Sequence, residues 1–319
     1  MEDLQMKTLV FGAGPLGSLY AHLLLKSGAD VSVLARGERY IWLKENGLVL
    51  QNEITGQKDT SQVHVVNELK QADAYDLVIV FIRKNKLSPV FEILATCPGA
   101  KYVLFMGNNV LGFDECLKHL PIEKVLFGFP GAGGGIYKQV VHCADREKPN
   151  GERKAVTIGE VDGQNKERTS AIKSLFESAG IPVELTADID GWLKYHVALF
   201  SPLVGALYSH NYDNYQAAKD KHTLRALVLA AKEGGCVLGQ LGYKKRQPFQ
   251  FNLFYWLPEF INMMAVRGLL ESKFAEVAFA MHARAARDEM KALACEFKEL
   301  ITKTSVDTPN IYALTHFSS

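Results

Sequence analysis

The sequence predicts an α/β fold, with an N-terminal Rossmann-type doubly wound sheet followed by an all-α C-terminal domain. Three observations carry this reading. A glycine turn joins an apolar strand to a helix-patterned segment near the N-terminus, apolar runs then alternate with helical segments to Leu185, and from about Ala187 only helical patterning remains. The change of pattern divides the chain into residues 1–186 and 187–319.

The first element is the run Leu9-Val10-Phe11, which flows into Gly12-Ala13-Gly14-Pro15-Leu16-Gly17. Apolar Leu16, Leu19, Tyr20, Leu23 and Leu24 then recur at helical spacing. A G-x-G-x-x-G turn between strand and helix points to a dinucleotide site. Gly12 permits the tight turn, Gly14 lets backbone approach a pyrophosphate, and Gly17 lets the helix pack on the strand. The free N–H groups at the helix start, from Ala13 to Leu16 except at Pro15, which has none, face the phosphates. The next strand, residues 30–34, ends in Leu34-Ala35-Arg36-Gly37. An NAD site would carry a carboxylate there for the ribose hydroxyls. Arg36 instead suits a 2′-phosphate through charge-assisted, bidentate hydrogen bonds, so the expected cofactor is NADP(H) and residues 1–186 form its binding domain.

Residues 39–46 fit a short helix, and residues 48–50 and 63–66 fit small strands. Residues 76–82 are continuously apolar after Asp76, as in a strand buried on both faces. A helix over 86–95 and a strand over 102–105 follow, the latter ending at Met106-Gly107-Asn108-Asn109. Ligands of such sheets bind outside the carboxyl ends of the strands, which places Arg83, Lys84 and Asn108 with the glycine turn. The glycine-rich stretch 127–135 lacks the Gly-Lys-Ser/Thr ending of a P-loop. It reads as a flexible connection into an antiparallel appendix of residues 136–141 and 155–158, with an exposed loop over 142–153. A helix over 169–179 and a strand over 180–185 close the domain. Asp190 is placed to cap a helix over 191–209, and further helices cover 221–241, 253–270 and 272–302. The aromatic cluster Phe249, Phe251, Phe254, Tyr255, Trp256 and Phe260 reads as helix packing or the face of a homodimer, with a wall of the substrate pocket as the alternative.

At 319 residues and 48% hydrophobic content, two cores are affordable in length and composition. A net charge of +1 gives no reason to expect nucleic acid. Five scattered cysteines without C-x-x-C spacing read as reduced thiols, with neither disulfide nor metal implied. Met1-Glu2-Asp3-Leu4-Gln5 lacks the basic and apolar regions of a signal peptide, and the apolar run 197–208 is too short for a bilayer. The expectation is a cytoplasmic protein with no membrane partner.

With these residues in view, the chain resembles the ketopantoate reductase family, the NADPH-dependent 2-dehydropantoate 2-reductases. The likeness rests on Gly12 to Gly17, the strand ending in Arg36 and the Asn108 loop. It continues through T-I-G-E-V-D-G at 157–163, A-G-I-P-V at 179–183, D-I-D-G-W-L-K at 188–194 and D-T-P-N at 307–310. The resemblance implies reduction of a small 2-keto acid, with Lys194 as catalytic acid and Asn108 at the nicotinamide and substrate carbonyl. It further implies cofactor contacts from Arg83, Lys84 and Asp288, and a substrate contact from Ser201. Chemically, hydride addition to a carbonyl creates an alkoxide that must be protonated or stabilised, and a lysine does both. The chain departs from the family where asparagines follow the lysine: Ala198 and then Ser201-Pro202 stand there. Glu276 occupies the place of a serine that grips a carboxylate. A dinucleotide-binding sensor without turnover, and an opine-type dehydrogenase needing an amine cosubstrate, are the alternative readings.

Overall fold

A computed structural model describes residues 6–318. The N-terminal pentapeptide, on which the expectation of no leader rests, lies outside the described residues. The chain forms two compact units. One comprises residues up to Gly107 together with Phe113–Ile189; the other comprises Asn108–Gly112 and everything from Asp190 onward.

The first unit is built on an eight-stranded sheet in the order β12-β11-β8-β7-β6-β1-β2-β5. Its strands are β1 (Thr8–Phe11), β2 (Val31–Leu34), β5 (His64–Val66), β6 (Tyr75–Val80), β7 (Ala100–Met106), β8 (Val125–Phe129), β11 (Val156–Glu160) and β12 (Val183–Leu185). All neighbours pair in parallel except β8 with β11. The central strands are buried on both faces: Leu9, Val10, Leu77, Val78, Ile79 and Leu104 are inaccessible to solvent. This is why they read as unbroken apolar runs. Helices α1 (Pro15–Lys26), α2 (Gly37–Asn46), α3 (Ser88–Ala95), α4 (Asp114–Leu117) and α5 (Glu167–Ser178) connect the strands. The strand order reverses between β1 and β6, so the glycine turn after β1 lies at the topological switch point, where such sheets bind ligands.

A second sheet, ordered β4-β3-β10-β9, joins β3 (Leu48–Asn52), β4 (Lys58–Ser61), β9 (Gly133–Tyr137) and β10 (Val140–Ala144). Here the sequence reading needs correction. The strand expected at 155–158 does not belong to this appendix; as β11 it pairs with β8 in the main sheet. The hairpin β9–β10 pairs with β3 instead. The glycine stretch is also not a flexible connection. Gly128 and Gly134 are strand residues whose added Cβ would stand 2.6 Å from the Thr157 carbonyl oxygen and 2.3 Å from that of His142. These glycines admit close backbone neighbours.

The second unit is helical: α6 (Ile189–Ser209), α7 (Asn214–Lys219), α8 (Lys221–Gln240), α9 (Leu253–Trp256), α10 (Glu259–Leu270), α11 (Lys273–Ala275), α12 (Met281–Ala285), α13 (Arg287–Thr302) and α14 (Pro309–Leu314). The helix expected over 253–270 is broken at Leu257-Pro258, because proline cannot continue a helix and biases the residue before it toward extended backbone. The helix expected over 272–302 contains a π-helical turn, Glu276–Ala280, and a break at Ala286. Helix α6 reaches close neighbours through small residues. A Cβ on Gly234 of α8 would lie 2.9 Å from the Ala198 Cβ, and one on Gly205 would lie 1.7 Å from the Leu314 carbonyl oxygen. Interior glycines cost roughly 1 kcal/mol each relative to alanine, a cost offset here by close helix packing. No helix among the described residues is long and apolar enough to cross a membrane.

Candidate functional site

In the first unit the glycine turn is built as its sequence requires. Gly12 has φ +111°, and a Cβ there would meet the Phe81 carbonyl oxygen at 2.7 Å. A Cβ on Gly17 would stand 1.9 Å from the Gly12 carbonyl oxygen. Beyond Gly14, by contrast, there is open space within 4 Å. Crowding at the outer glycines and room at the middle one is the pattern of a turn that folds tightly and lets another molecule approach. Gly14 is also the N-cap of α1, with Pro15 at the first turn and no side-chain cap, so the first-turn N–H groups stay available to an anion.

Arg36 caps α2 at the end of β2, exposed, with its guanidinium 6.0 Å from the centre of the Phe11 ring at the end of β1. No carboxylate pairs with it among the described residues. Arg83 and Lys84 follow β6, where Arg83 precedes the 3-10 turn Lys84–Lys86. Lys84 stands 3.6 Å from Glu115, whose carboxyl also accepts a hydrogen bond from Ser88. The Ser88 hydroxyl and then, against the opposing effect of burial, the Lys84 charge hold the Glu115 carboxyl below its usual range.

Sequence reasoning missed Arg39. Its guanidinium donates to the Ala13 carbonyl at 3.2 Å, the Ser18 hydroxyl at 3.1 Å and the Gln139 carbonyl at 2.6 Å. It thereby braces the glycine turn against the β9–β10 hairpin, and burial lowers its pKa to about 10. The spacing Arg36-x-x-Arg39 across one turn of α2 was the available signal.

The second unit gathers Asn108 and Lys194. The Lys194 side chain is 5% exposed and pairs with the Asp190 carboxylate one turn earlier on α6. The other Asp190 oxygen accepts the Tyr243 hydroxyl at 2.6 Å. The ammonium lies 5.0 Å from the centre of the Tyr243 ring, and the backbone of Tyr243 is held by the Tyr195 hydroxyl at 2.8 Å. Asp190 is therefore not the helix cap expected from sequence. It lies within the first turn of α6, and its carboxylate is committed to Lys194 and Tyr243.

The segment Asn108–Gly112 belongs to this unit. A Cβ on Gly112 would lie 3.7 Å from Asp190 Oδ1 and 4.0 Å from Lys194 Nζ. Asn109 donates to the Gly112 carbonyl at 2.7 Å, closing the loop. Asn108 donates to Glu289 at 3.4 Å, and Glu289 in turn stands 3.7 Å from His282. The amide oxygens of Asn108 and Asn109 are buried and have no hydrogen-bond partner. Each such orphan costs roughly 1–3 kcal/mol unless a ligand supplies a donor.

The acid that meets Asn108 is thus Glu289, buried on α13. Its neighbour Asp288, singled out from sequence, is exposed. Ala198, one turn beyond Lys194, is fully buried against Gly234, a contact that leaves no room for an asparagine. Ser201 is buried further along α6. Glu276 turns to Lys273 at 2.7 Å and the Tyr215 hydroxyl at 2.9 Å. Asp190 with Lys194 was visible as an i, i+4 pair, but nothing in the sequence marked Tyr243 or Glu289.

Residues 8–150 match the ketopantoate reductase PanE/ApbA family. A 2-dehydropantoate 2-reductase of Archaeoglobus fulgidus is 26% identical over 241 residues, 74% of each chain. Among solved structures, 2-dehydropantoate 2-reductase from Geobacter metallireducens superposes with a TM-score of 0.76 at 16% identity, covering 98% of both chains. D-mandelate dehydrogenase in complex with NADH and anilino(oxo)acetate gives 0.75 at 16% identity, covering 98% of this chain and 96% of its own. These structural likenesses establish the fold, a Rossmann-type sheet followed by a helical part. Over residues 8–150 the chain resembles the ketopantoate reductase family, and beyond them the likeness to solved structures is one of fold.

Proposed function

We propose that the chain is a cytoplasmic, NADPH-dependent reductase of a 2-keto acid, 2-dehydropantoate or a related carbonyl. The observation that carries this reading is the pairing of buried Lys194 with the partly exposed Asp190, beside a loop whose two asparagine oxygens lack donors. The naming of the Archaeoglobus relative supports the substrate class, and the NADH complex of D-mandelate dehydrogenase supports a nicotinamide cofactor.

The glycine turn Gly12 to Gly17 would hold the pyrophosphate, and the exposed, unpaired Arg36 the 2′-phosphate, with Arg83 and Lys84 at the neighbouring strand end. A reduced nicotinamide, when bound, supplies the hydride. Lys194 Nζ gives its proton to the carbonyl oxygen as negative charge develops there. Asp190 keeps the amine oriented, and the Tyr243 hydroxyl fixes the carboxylate in turn. The Asn108 amide, aligned by Glu289, leaves its oxygen to accept the hydroxyl formed by reduction. Ser201 is the remaining polar substrate contact on α6. No finding favours the sensor or opine-type readings.

The test is NADPH oxidation across a panel of 2-keto acids, followed by Lys194→Ala. Turnover should fall by roughly 10²–10⁴, with NADPH affinity retained. Tight NADPH binding without oxidation on any carbonyl would overturn the reductase reading, and an equally active alanine variant would remove Lys194 from it.

A further inference from the structure

A cavity of about 320 Å³ opens in the first unit between the C-terminal half of α1, the second sheet and the end of α5. It shares no residue with the glycine turn or with the strand end at Arg36. Leu19, Leu23, Leu50 and Cys143, all buried, give it an apolar floor. Its carboxylates are already engaged. Asp145, 4% exposed, accepts from Asn52 at 2.9 Å, from Arg146 at 3.3 Å and from Arg153 at 2.7 Å. Asp59 is paired with Lys26 at 3.0 Å.

The groups left over are donors. Arg153 gives Nε to Asp145 and Nη1 to the Gly180 carbonyl at 3.1 Å, which fixes the plane of its guanidinium. Its Nη2 makes no hydrogen bond among the described residues. His22 is 7% exposed, and its Nδ1 meets the Ser61 hydroxyl at 2.9 Å. Its Nε2 makes no hydrogen bond among the described residues, the Asp59 carboxylate standing 3.7 Å away. That carboxylate favours the tautomer with the proton on Nε2. A buried donor without an acceptor costs free energy that a ligand oxygen recovers. Donors held in place beside neutralised acids suit an anion, and the leucines beneath them suit hydrocarbon. At about 30 Å³ per water the volume is that of about ten waters. A molecule of roughly eight to ten non-hydrogen atoms fills it, at the small end of ligand pockets built of apolar walls and a few convergent polar groups.

We propose that this cavity binds a short-chain aliphatic monocarboxylate, with the carboxylate on Arg153 and His22 and the hydrocarbon on the leucines. The guanidinium is the anchor, because a fixed fork loses little freedom on meeting a carboxylate. The test is calorimetric titration of the full chain with 4-methylpentanoate, which should bind saturably at millimolar concentration. Its uncharged isostere 4-methylpentanamide should bind at least roughly tenfold more weakly. Free leucine, which adds an ammonium group to the same skeleton, should bind no more tightly than the acid. Arg153→Gln should weaken the acid by at least roughly tenfold. Ser178 lines the cavity and is exposed on α5, so Ser178→Trp plugs the space without touching a buried ion pair and should abolish binding even if the Arg153 variant does not fold. Lys194→Ala, in the other unit, should leave the affinity unchanged. No saturable binding, equal binding of acid and amide, tighter binding of free leucine, an affinity indifferent to either first-unit change, or binding lost with Lys194→Ala would each overturn the proposal.

Discussion

Acidification should destabilise the helical unit through His196. This imidazole stacks between Trp192 and Phe200, one turn to either side on α6, at ring-centre distances of 5.6 and 5.4 Å. Its Nε2 is sealed from solvent. Burial first, and the nearby His282 second, depress its pKa from 6.5 to about 3. In the unfolded chain the same ring takes a proton near pH 6.5. Between those values the unfolded state binds more protons, so stability falls as pH falls through 6.5 and is fully present above it. At about 1.4 kcal/mol per pH unit, the loss between pH 7.5 and 5 is about 2 kcal/mol. The assay is urea unfolding at both pH values, followed by tryptophan fluorescence, in the wild type and in His196→Phe, which keeps the aromatic stack. Other groups that titrate in this range contribute equally to both proteins and cancel. The wild type should lose about 2 kcal/mol more on acidification than the variant. Equal losses, or an imidazole resonance of folded His196 titrating near 6.5, would refute the reasoning.

Other perturbations test the remaining parts. Gly17→Ala drives a methyl into the Gly12 carbonyl, so thermal stability should drop by ~1–3 kcal/mol and NADPH affinity with it; a variant normal in both would remove the close-packing role. Glu160, 1% exposed, accepts from Arg168 and from Thr169 at 2.5 Å. Glu160→Gln leaves the buried Arg168 cation uncompensated and should cost ~3–5 kcal/mol of unfolding free energy, and a cost below ~1 kcal/mol would show that the pair is solvated. Arg36→Gln should weaken NADPH binding by roughly 10- to 100-fold, the worth of one charge-assisted contact, while sparing NADH; unchanged discrimination between the two cofactors would dismiss Arg36 as the selector.

Periodicity made most of the architecture legible. Burial on both faces leaves β1, β6 and β7 as apolar runs, and the glycine turn between β1 and α1 carries its own spacing. Where the reading slipped, the deciding contact was distant along the chain. Val156–Glu160 has the composition of any strand, and only its pairing with Val125–Phe129 puts it in the main sheet. The flexible look of Gly133 to Gly135 disappears once β10 lies against them.

The amino-acid sequence by itself determined the Rossmann-type sheet, the helical half and the family likeness, because these are written in local spacing: glycines two and three residues apart at Gly12, Gly14 and Gly17, and apolar residues at period two or 3.6. Only the tertiary structure decided what surrounds Lys194 and Asn108. Tyr243 and Glu289 come to them from 49 and 181 residues away along the chain, counted from Lys194 and Asn108 respectively. Such partners leave no periodic trace, since a hydrogen bond across a folded unit constrains two side chains and not the run of residues around either.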